Sequence, residues 1–280
     1  MGLTHLMIIT ALAAGGAAPL DAPATPGRYA AATAVSVATA KSVRVDCPAG
    51  TVVFGSGGRV VDGFGGVVLT GIMPDPALRS VTAYAVARPG HKGPWGLVAY
   101  AVCLPESGLA PVRVAAIGAG YTVTASCPTA TVLYGNGFLL PNADAATYAD
   151  EVVPDAGLTG VTVHTAGTPP GIGGLVVYGV CAGRMDRYER THGVSGAGPG
   201  SPKEAYAPLP DYILFDHGRW TFGAGGLVEG SATAFLDGLD PATDVAGAWA
   251  SASRLETTVV GLTGDDYTVT TYAATIGSWY

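Results

Sequence analysis

The segment VRVDCPAGTVVFGSG at 43–57 returns at 123–137 as VTASCPTATVLYGNG, and this internal repeat constrains the fold more than any other feature of the chain. The same register pairs Pro74 with Pro154, Leu78 with Leu158, Val81-Thr82 with Val161-Thr162, and Tyr84 with His164, with no gap. The two units close with LVAYAVC at 97–103 and LVVYGVC at 175–181, two residues having been lost in the intervening Gly/Pro loop. A third, more divergent copy places Phe215 at the first cysteine position, eight residues before Gly223-Ala224-Gly225, and closes with VTTYAAT at 269–275. Repeats of this kind are supersecondary units that bury their apolar faces against one another.

Within a unit the period is two. Val43, Val45 and Cys47 alternate with Ser42, Arg44 and Asp46, and Tyr121, Val123, Ala125 and Cys127 alternate with Thr122, Thr124 and Ser126, as half-buried strands require. Further strands are predicted over Val81 to Ala87, Val161 to Thr165 and Leu97 to Cys103, bounded by turns such as Arg88-Pro89-Gly90 and Thr168-Pro169-Pro170-Gly171. With 42 Gly and 20 Pro in 280 residues, long helices are excluded, because these residues cost about 1 and 3 kcal/mol in helix interiors. Hydrophobic residues at 49% and charged residues at 12% are the reverse of the disorder signature.

The expected fold is therefore all-β, with three pseudo-repeated antiparallel units of about four strands. One such unit cannot cover its own apolar face, so the three share a core, either as a closed three-sided prism, the preferred arrangement, or as packed modules. The expected organisation is a signal peptide at 1–24, a Pro/Ala-rich lead-in at 25–40, unit 1 at 41–104, unit 2 at 121–182, a linker at 183–210 and unit 3 at 211–280. The stretches 104–120 and 182–210 read as linkers, the second holding five charges within Arg184 to Arg190 and a Gly/Ser/Pro-rich run from Val194 to Pro202.

Four cysteines allow three pairings. Unit 3 carries Phe215 and Thr275 at the two cysteine positions, so both partners are lost together, as a disulfide within each unit predicts. The expected pairs are Cys47 with Cys103 and Cys127 with Cys181, each closing a loop for which the chain-entropy model gives roughly 4 kcal/mol. The apolar run from Leu6 to Ala14, followed by small residues and Ala22-Pro23-Ala24, reads as an export signal, although its n-region holds only His5. A disulfide framework agrees with an oxidising, extracellular compartment. Beyond the N-terminus no apolar run approaches the ~20 residues of a membrane-spanning helix. The net charge of −7 and scattered basic residues exclude nucleic acid as a partner.

Motifs of chemistry are sparse. Gly55-Ser56-Gly57-Gly58 and Gly223-Ala224-Gly225-Gly226 lack the Lys-Ser/Thr of a phosphate loop and read as strand bulges or tight turns. Gly193-Val194-Ser195-Gly196-Ala197 fails as a nucleophile elbow at its last position. No two histidines are spaced for a metal site on a helix, and neither a metal nor a cofactor is expected; His164, in Tyr84's place, reads as a strand residue. The carboxylates Asp144, Asp150, Glu151 and Asp155, and Asp237, Asp240 and Asp244, read as solvated turn residues. Asp150 and Glu151 are the candidates for a catalytic pair, and the unit 3 set lacks the alternate-residue spacing of a calcium loop. Among the aromatic residues Tyr100, Tyr178 and Tyr272 recur at one repeat position and are expected in the core, whereas Trp95, Tyr148, Trp220, Trp249 and Trp279 do not recur and are candidate sugar platforms. The expected ligand positions are Trp95, Tyr148, His164 and Trp249.

The opening from Cys47-Pro48-Ala49-Gly50 to Gly55-Ser56-Gly57, with the YAVC closing at Tyr100 to Cys103, resembles the repeat of secreted actinobacterial proteins of mostly unassigned role. The three-fold arrangement is similar to the β-prism of the vitelline membrane outer layer proteins. The resemblance spans roughly residues 40 to 280; unit 2 departs from its motif with Ala130 in place of a glycine. It implies a coat, surface or carbohydrate-associated protein. The expectation is a secreted, non-catalytic binding or structural protein whose partner is an extracellular glycan or cell-surface polymer; the alternative is a secreted carbohydrate-active hydrolase or transferase using the unit 2 carboxylates, and a toxin subunit or phage surface component is a further class.

Overall fold

The computed structural model describes residues 27–106, 109–141, 145–170, 173–185, 188–198, 201–208, 220–231, 233–241, 248–254 and 266–276, the side chains of 220, 248–254 and 276 excepted. The expected signal peptide, Phe215, His217, Asp144, Asp244 and Trp279 lie outside these residues. The described chain is all-β and holds no helix among the described residues.

Each unit has six strands rather than four. Unit 1 comprises β1 (Gly27–Ala32), β2 (Ala40–Asp46), β3 (Thr51–Val61), β4 (Val67–Pro74), β5 (Ser80–Ala87) and β6 (Gly96–Pro105). Unit 2 comprises β7 (Val112–Gly118), β8 (Thr122–Ser126), β9 (Thr131–Leu139), β10 (Thr147–Pro154), β11 (Gly160–Gly167) and β12 (Leu175–Gly183). Unit 3 comprises β13 (Tyr188–Val194), β14 (Lys203–Ala207), β15 (Trp220–Glu229), β16 (Ala234–Pro241), β17 (Ala248–Arg254) and β18 (Thr268–Ile276). The lead-in and both linkers thus supply strands: β1, β7, β13 and β14. All four are sheet-edge strands, paired on one side only, and they lie in the stretches whose composition reads as lead-in and linker.

The strands form three six-stranded antiparallel sheets, ordered β1-β6-β3-β16-β17-β14, β2-β5-β4-β9-β12-β7 and β13-β18-β15-β10-β11-β8. Every unit gives its first, sixth and third strands to one sheet and its second, fifth and fourth to the next. The exchange is cyclic. The seams are short, with Gly71 and Ile72 opposite Leu139 and Phe138, Glu151 and Val152 opposite Leu227 and Gly226, and Gly238 and Leu239 opposite Arg59 and Gly58. One apolar cluster draws residues from all three sheets.

The repeated glycines explain how three sheets come this close. Each third strand carries a bulge that leaves one extra residue, Phe54, Tyr134 or Phe222, and turns its ring inward. These rings meet one another at centroid distances of 5.3, 5.3 and 6.2 Å. The glycine after each ring faces the backbone of another unit: a Cβ on Gly55 would overlap the carbonyl oxygen of Phe222, one on Gly135 that of Phe54, and one on Gly223 that of Tyr134. The Gly-rich segment is thus the bulge its sequence suggests. A second bulge in each fourth strand leaves Thr70, Asp150 or Asp237 as the extra residue. Two residues before these, Val68, Tyr148 and Phe235 share a smaller apolar layer.

The outer side of each seam is bolted by an arginine. Arg28, Arg113 and Arg190 lie over the rings of Tyr100, Tyr178 and Tyr272 at 4.0, 4.8 and 4.9 Å from the centroids. Each then crosses to the neighbouring unit: Arg28 pairs with Asp240, Arg113 donates to the carbonyl of Pro74, and Arg190 to that of Pro154. The recurring tyrosines are therefore seam residues, two of them buried and Tyr272 half-buried.

At the other end of each unit the disulfides Cys47–Cys103 and Cys127–Cys181 tie β2 to β6 and β8 to β12, with Cα separations of 5.8 and 5.6 Å. Beside them Gly50 and its counterpart Ala130 both adopt the left-handed region, at φ 77° and 65°. The alanine bears a steric penalty there that a glycine does not.

Three outcomes follow from this packing. Gly55→Ala forces a methyl group onto the Phe222 backbone and is expected to destabilise the fold by about 3 kcal/mol or more in chemical denaturation. Ala130→Gly relieves backbone strain and is expected to raise stability by about 1 kcal/mol. Replacing Cys47 and Cys103 together by serine is expected to lower it by roughly 4 kcal/mol, read from the same denaturation curves.

Candidate functional site

The structure separates the residues singled out in the sequence. Trp95 is 0% exposed, its indole Nε1 donating to the carbonyl of Ala38, so it offers no face to a ligand. Tyr148 is buried against Val68 and Phe235, because its strand position points it into the apolar layer. Trp249 pairs with Tyr206 and Asp240 through the backbone of β17, and its side chain lies outside the described set. Asp150, Glu151, Asp237 and Asp240 stand in strands β10 and β16 rather than in solvated turns. Asp237 is buried and Asp240 holds Arg28 across a seam. Among the described residues of that set, Asp150, Glu151 and His164 come together on an outer face.

Superposing the three copies by their strand registers shows why this place differs from its counterparts. Glu151 faces His164 across β10 and β11; the same pair is Gly71 with Tyr84 in unit 1 and Gly238 with Ser251 in unit 3. Tyr121 stands where the other units have Lys41 and Lys203. In those units the lysine is a clasp. Lys41 donates to the carbonyls of Ala34 and Trp95 and lies 4.8 Å from the Trp95 ring centroid, while Lys203 donates to the carbonyls of Gly196 and Tyr267 and lies 4.7 Å from the Tyr267 ring.

Unit 2 has Gly173 in place of the buried Trp95 or Tyr267, and no lysine. The segment between its first two strands runs only from 119 to 121, against 33–39 and 195–202 in the other units. With a shorter cover and no clasp, Tyr121 is 40% exposed and its ring stands 6.3 Å from that of His164.

Comparison with protein-family models and with curated proteins gives no match for this chain. The site is therefore argued from its own geometry.

The β10 bulge places two consecutive side chains, Asp150 and Glu151, on the same side of the strand where regular pleating would separate them. Asp150 Oδ1 lies 2.7 Å from His164 Nδ1, and the two side chains are 22% and 37% exposed. A carboxylate only accepts, so Nδ1 of His164 donates to it. Burial pushes the Glu151 carboxyl above the usual range; Asp150 and Glu229 add to the rise and His164 opposes it. Glu229 and Glu151 also raise the hydroxyl of Tyr272, after burial, while Arg190 opposes them. The charges of this face are thus coupled from β13 to β11.

The same row across the sheet runs Val194, Thr270, Leu227, Glu151, His164 and Thr122. Thr124 and Thr162 share a hydrogen bond of 2.9 Å one row further on. Among the described residues no three of His, Cys, Asp and Glu form a metal cluster. The assembly offers hydrogen-bonding oxygens, one oriented imidazole and one exposed aromatic ring, a set matched to a ligand rich in hydroxyl groups. The sequence pointed to Asp150, Glu151 and His164 but missed Tyr121. Its signal was available in the alignment of the copies, as the loss of Lys41 and Trp95 together.

The Glu151 environment sets a pH dependence. A carboxyl raised in the folded state binds more protons than the unfolded chain, so its contribution to stability falls as pH rises through the ordinary carboxyl range, near 4.3, and on to the raised value. Glu151→Gln is therefore expected to be more stable than the parent at neutral pH, with the advantage vanishing below about pH 4, as measured by denaturation midpoints over that range.

Proposed function

We propose that the protein is a secreted, non-catalytic binding protein of β-prism architecture that holds a carbohydrate on the outer face of unit 2. The observation that carries this reading is the departure of one copy from the other two. Units 1 and 3 seal this position with a lysine, a buried ring and a longer segment, whereas unit 2 leaves Tyr121, His164, Asp150 and Glu151 at the surface. A rigid scaffold that repeats its core and varies one outer patch keeps its recognition in that patch. An exposed ring gives a stacking platform for the apolar face of a pyranose, and the carboxylates and imidazole accept from its hydroxyls.

Secretion agrees with the N-terminal export pattern, with two disulfides, and with the lack among the described residues of any helix long and apolar enough to cross a membrane. The likeness of the CPxG opening to secreted repeat proteins points to the same setting.

A glycan array followed by titration of the strongest hits tests the reading. Saturable binding is expected for the parent protein, with Tyr121→Ala and His164→Ala each weakening it about tenfold, the loss of one good stacking or hydrogen-bonding contact. Binding undiminished in both variants would remove the site.

A second reading rests on the contrast between two neighbouring carboxyl groups: Asp150 is engaged by His164, while Glu151 is raised by burial. Pairs set apart in this way serve glycoside hydrolysis as base and acid. Release of reducing sugar by the parent and its abolition in Glu151→Gln would establish that reading over simple binding.

A further inference from the structure

A separate groove lies among three segments of unit 1. The turn between β3 and β4 spans 62–66, the one between β5 and β6 spans 88–95, and the segment 33–39 joins β1 to β2. They are tied together: Arg88 N donates to the carbonyl of Gly66, Ala87 N to that of Thr39, and Ser36 and Trp95 exchange backbone hydrogen bonds. The groove between them, of about 520 Å³, is walled by Val37, Ala38, Ala87 and Pro89, with Arg88 and His91 as its principal polar members.

Two observations give this groove a ligand preference. Arg88 Nε and His91 Nε2 are both shut away from solvent and have no hydrogen-bond partner. Polar atoms of this kind are costly to leave unmet, and both side chains line the groove. The ring of His91 is seated on Gly66, where any Cβ would collide with it, so its orientation is built into the turn. The β5–β6 turn is also basic in an acidic chain: Arg88, His91 and Lys92 stand in it with no carboxylate among them, against a net charge of −7 overall. Asp62 is the carboxylate of the β3–β4 turn, whose Gly66 accepts from Arg88 N.

The apolar side is equally distinct. Phe64 is 70% exposed and sits at φ 45°, a left-handed conformation that a bulky residue adopts only where the surroundings impose it. Asp62 and Gly65 in the same turn also have positive φ, at 58° and 78°. Val37 is 68% and Val35 53% exposed on the adjoining segment. A strained turn that holds a phenyl ring in water, two residues from the Gly66 that contacts Arg88 and His91, is the arrangement of a contact waiting for its partner.

We propose that this groove binds an amphiphile with a single anionic head group, the head received by Arg88 and His91 and the alkyl part lying along Val37, Ala38 and Pro89 towards Phe64. Charge complementarity selects an anion, and the mostly apolar wall selects a chain rather than a free ion. The proposal is independent of the carbohydrate reading, because it uses no residue of unit 2.

Calorimetric titration of the full-length protein with octanoate, octylamine, octyl glucoside and acetate tests it. Octanoate is expected to bind saturably at one site, acetate at least tenfold more weakly, and octylamine not at all. Arg88→Gln and His91→Gln are each expected to weaken octanoate about tenfold, and Phe64→Ser a few-fold, with thermal unfolding checked for each variant. Phe64→Ser and Lys92→Gln alter exposed side chains, so loss of folding in Arg88→Gln leaves the test intact. Lys92→Gln is expected to weaken octanoate measurably without altering the melting temperature. Equal affinity for octanoate and octyl glucoside would overturn the proposal, as would octanoate binding unchanged in the arginine, histidine and phenylalanine variants. Binding to anionic vesicles with none to monomeric octanoate would overturn it in favour of a membrane surface. Phe64-dependent self-association without octanoate binding would overturn it in favour of a second copy of the chain.

Discussion

The closest approach of the three units is glycine against carbonyl, and the architecture depends on it. Gly55, Gly135 and Gly223 each admit the backbone of another unit where any side chain would intrude, and the ring preceding each glycine fills the space so enclosed. The contact is cyclic, so none of the three can be relaxed without disturbing the other two. Dense interiors transmit such misfits rather than absorb them. These glycines are thus a condition of packing three sheets about one core.

A rigid, repeated interior frees the outer faces to diverge, and the divergence is uneven. The arginine over tyrosine recurs at every seam because it joins one unit to the next. The lysine over a buried ring recurs only in units 1 and 3. Where it is missing, a bulge common to all three units acquires a second acidic side chain and a histidine opposite. The bulge itself is ancestral; what changed are the residues it aims outward. A structural irregularity shared by all copies carries two acidic side chains and a facing histidine in one of them.

Much of this was legible before the coordinates. The joint absence of Cys47 and Cys103 counterparts from unit 3 points to the disulfide pairing that the structure contains. The six-strand count was not legible, because β1, β7, β13 and β14 are short edge strands, paired on one side only, that stand outside the repeated motif. Side-chain direction was the other gap. Trp95 and Tyr148 look like free aromatics in a list of residues, but one is covered by a segment far away in sequence and the other faces the axis. Asp150 and Glu151 read as turn residues because adjacent charges seldom occur within a strand; a bulge lets both avoid the core, and bulges leave little trace in an isolated sequence.

The cyclic exchange of half-sheets has a bearing on how the chain reaches its native form. The partner of β3 is β16, so the pairing of Arg59 with Gly238 cannot form until nearly the whole polypeptide is present. Until then the first unit exposes an open strand on each of its two half-sheets, one waiting for β9 and the other for β16. Assembly therefore finishes by ring closure between the oldest and newest parts of the chain. A polypeptide carrying only one unit would meet the same demand by recruiting two more copies of itself.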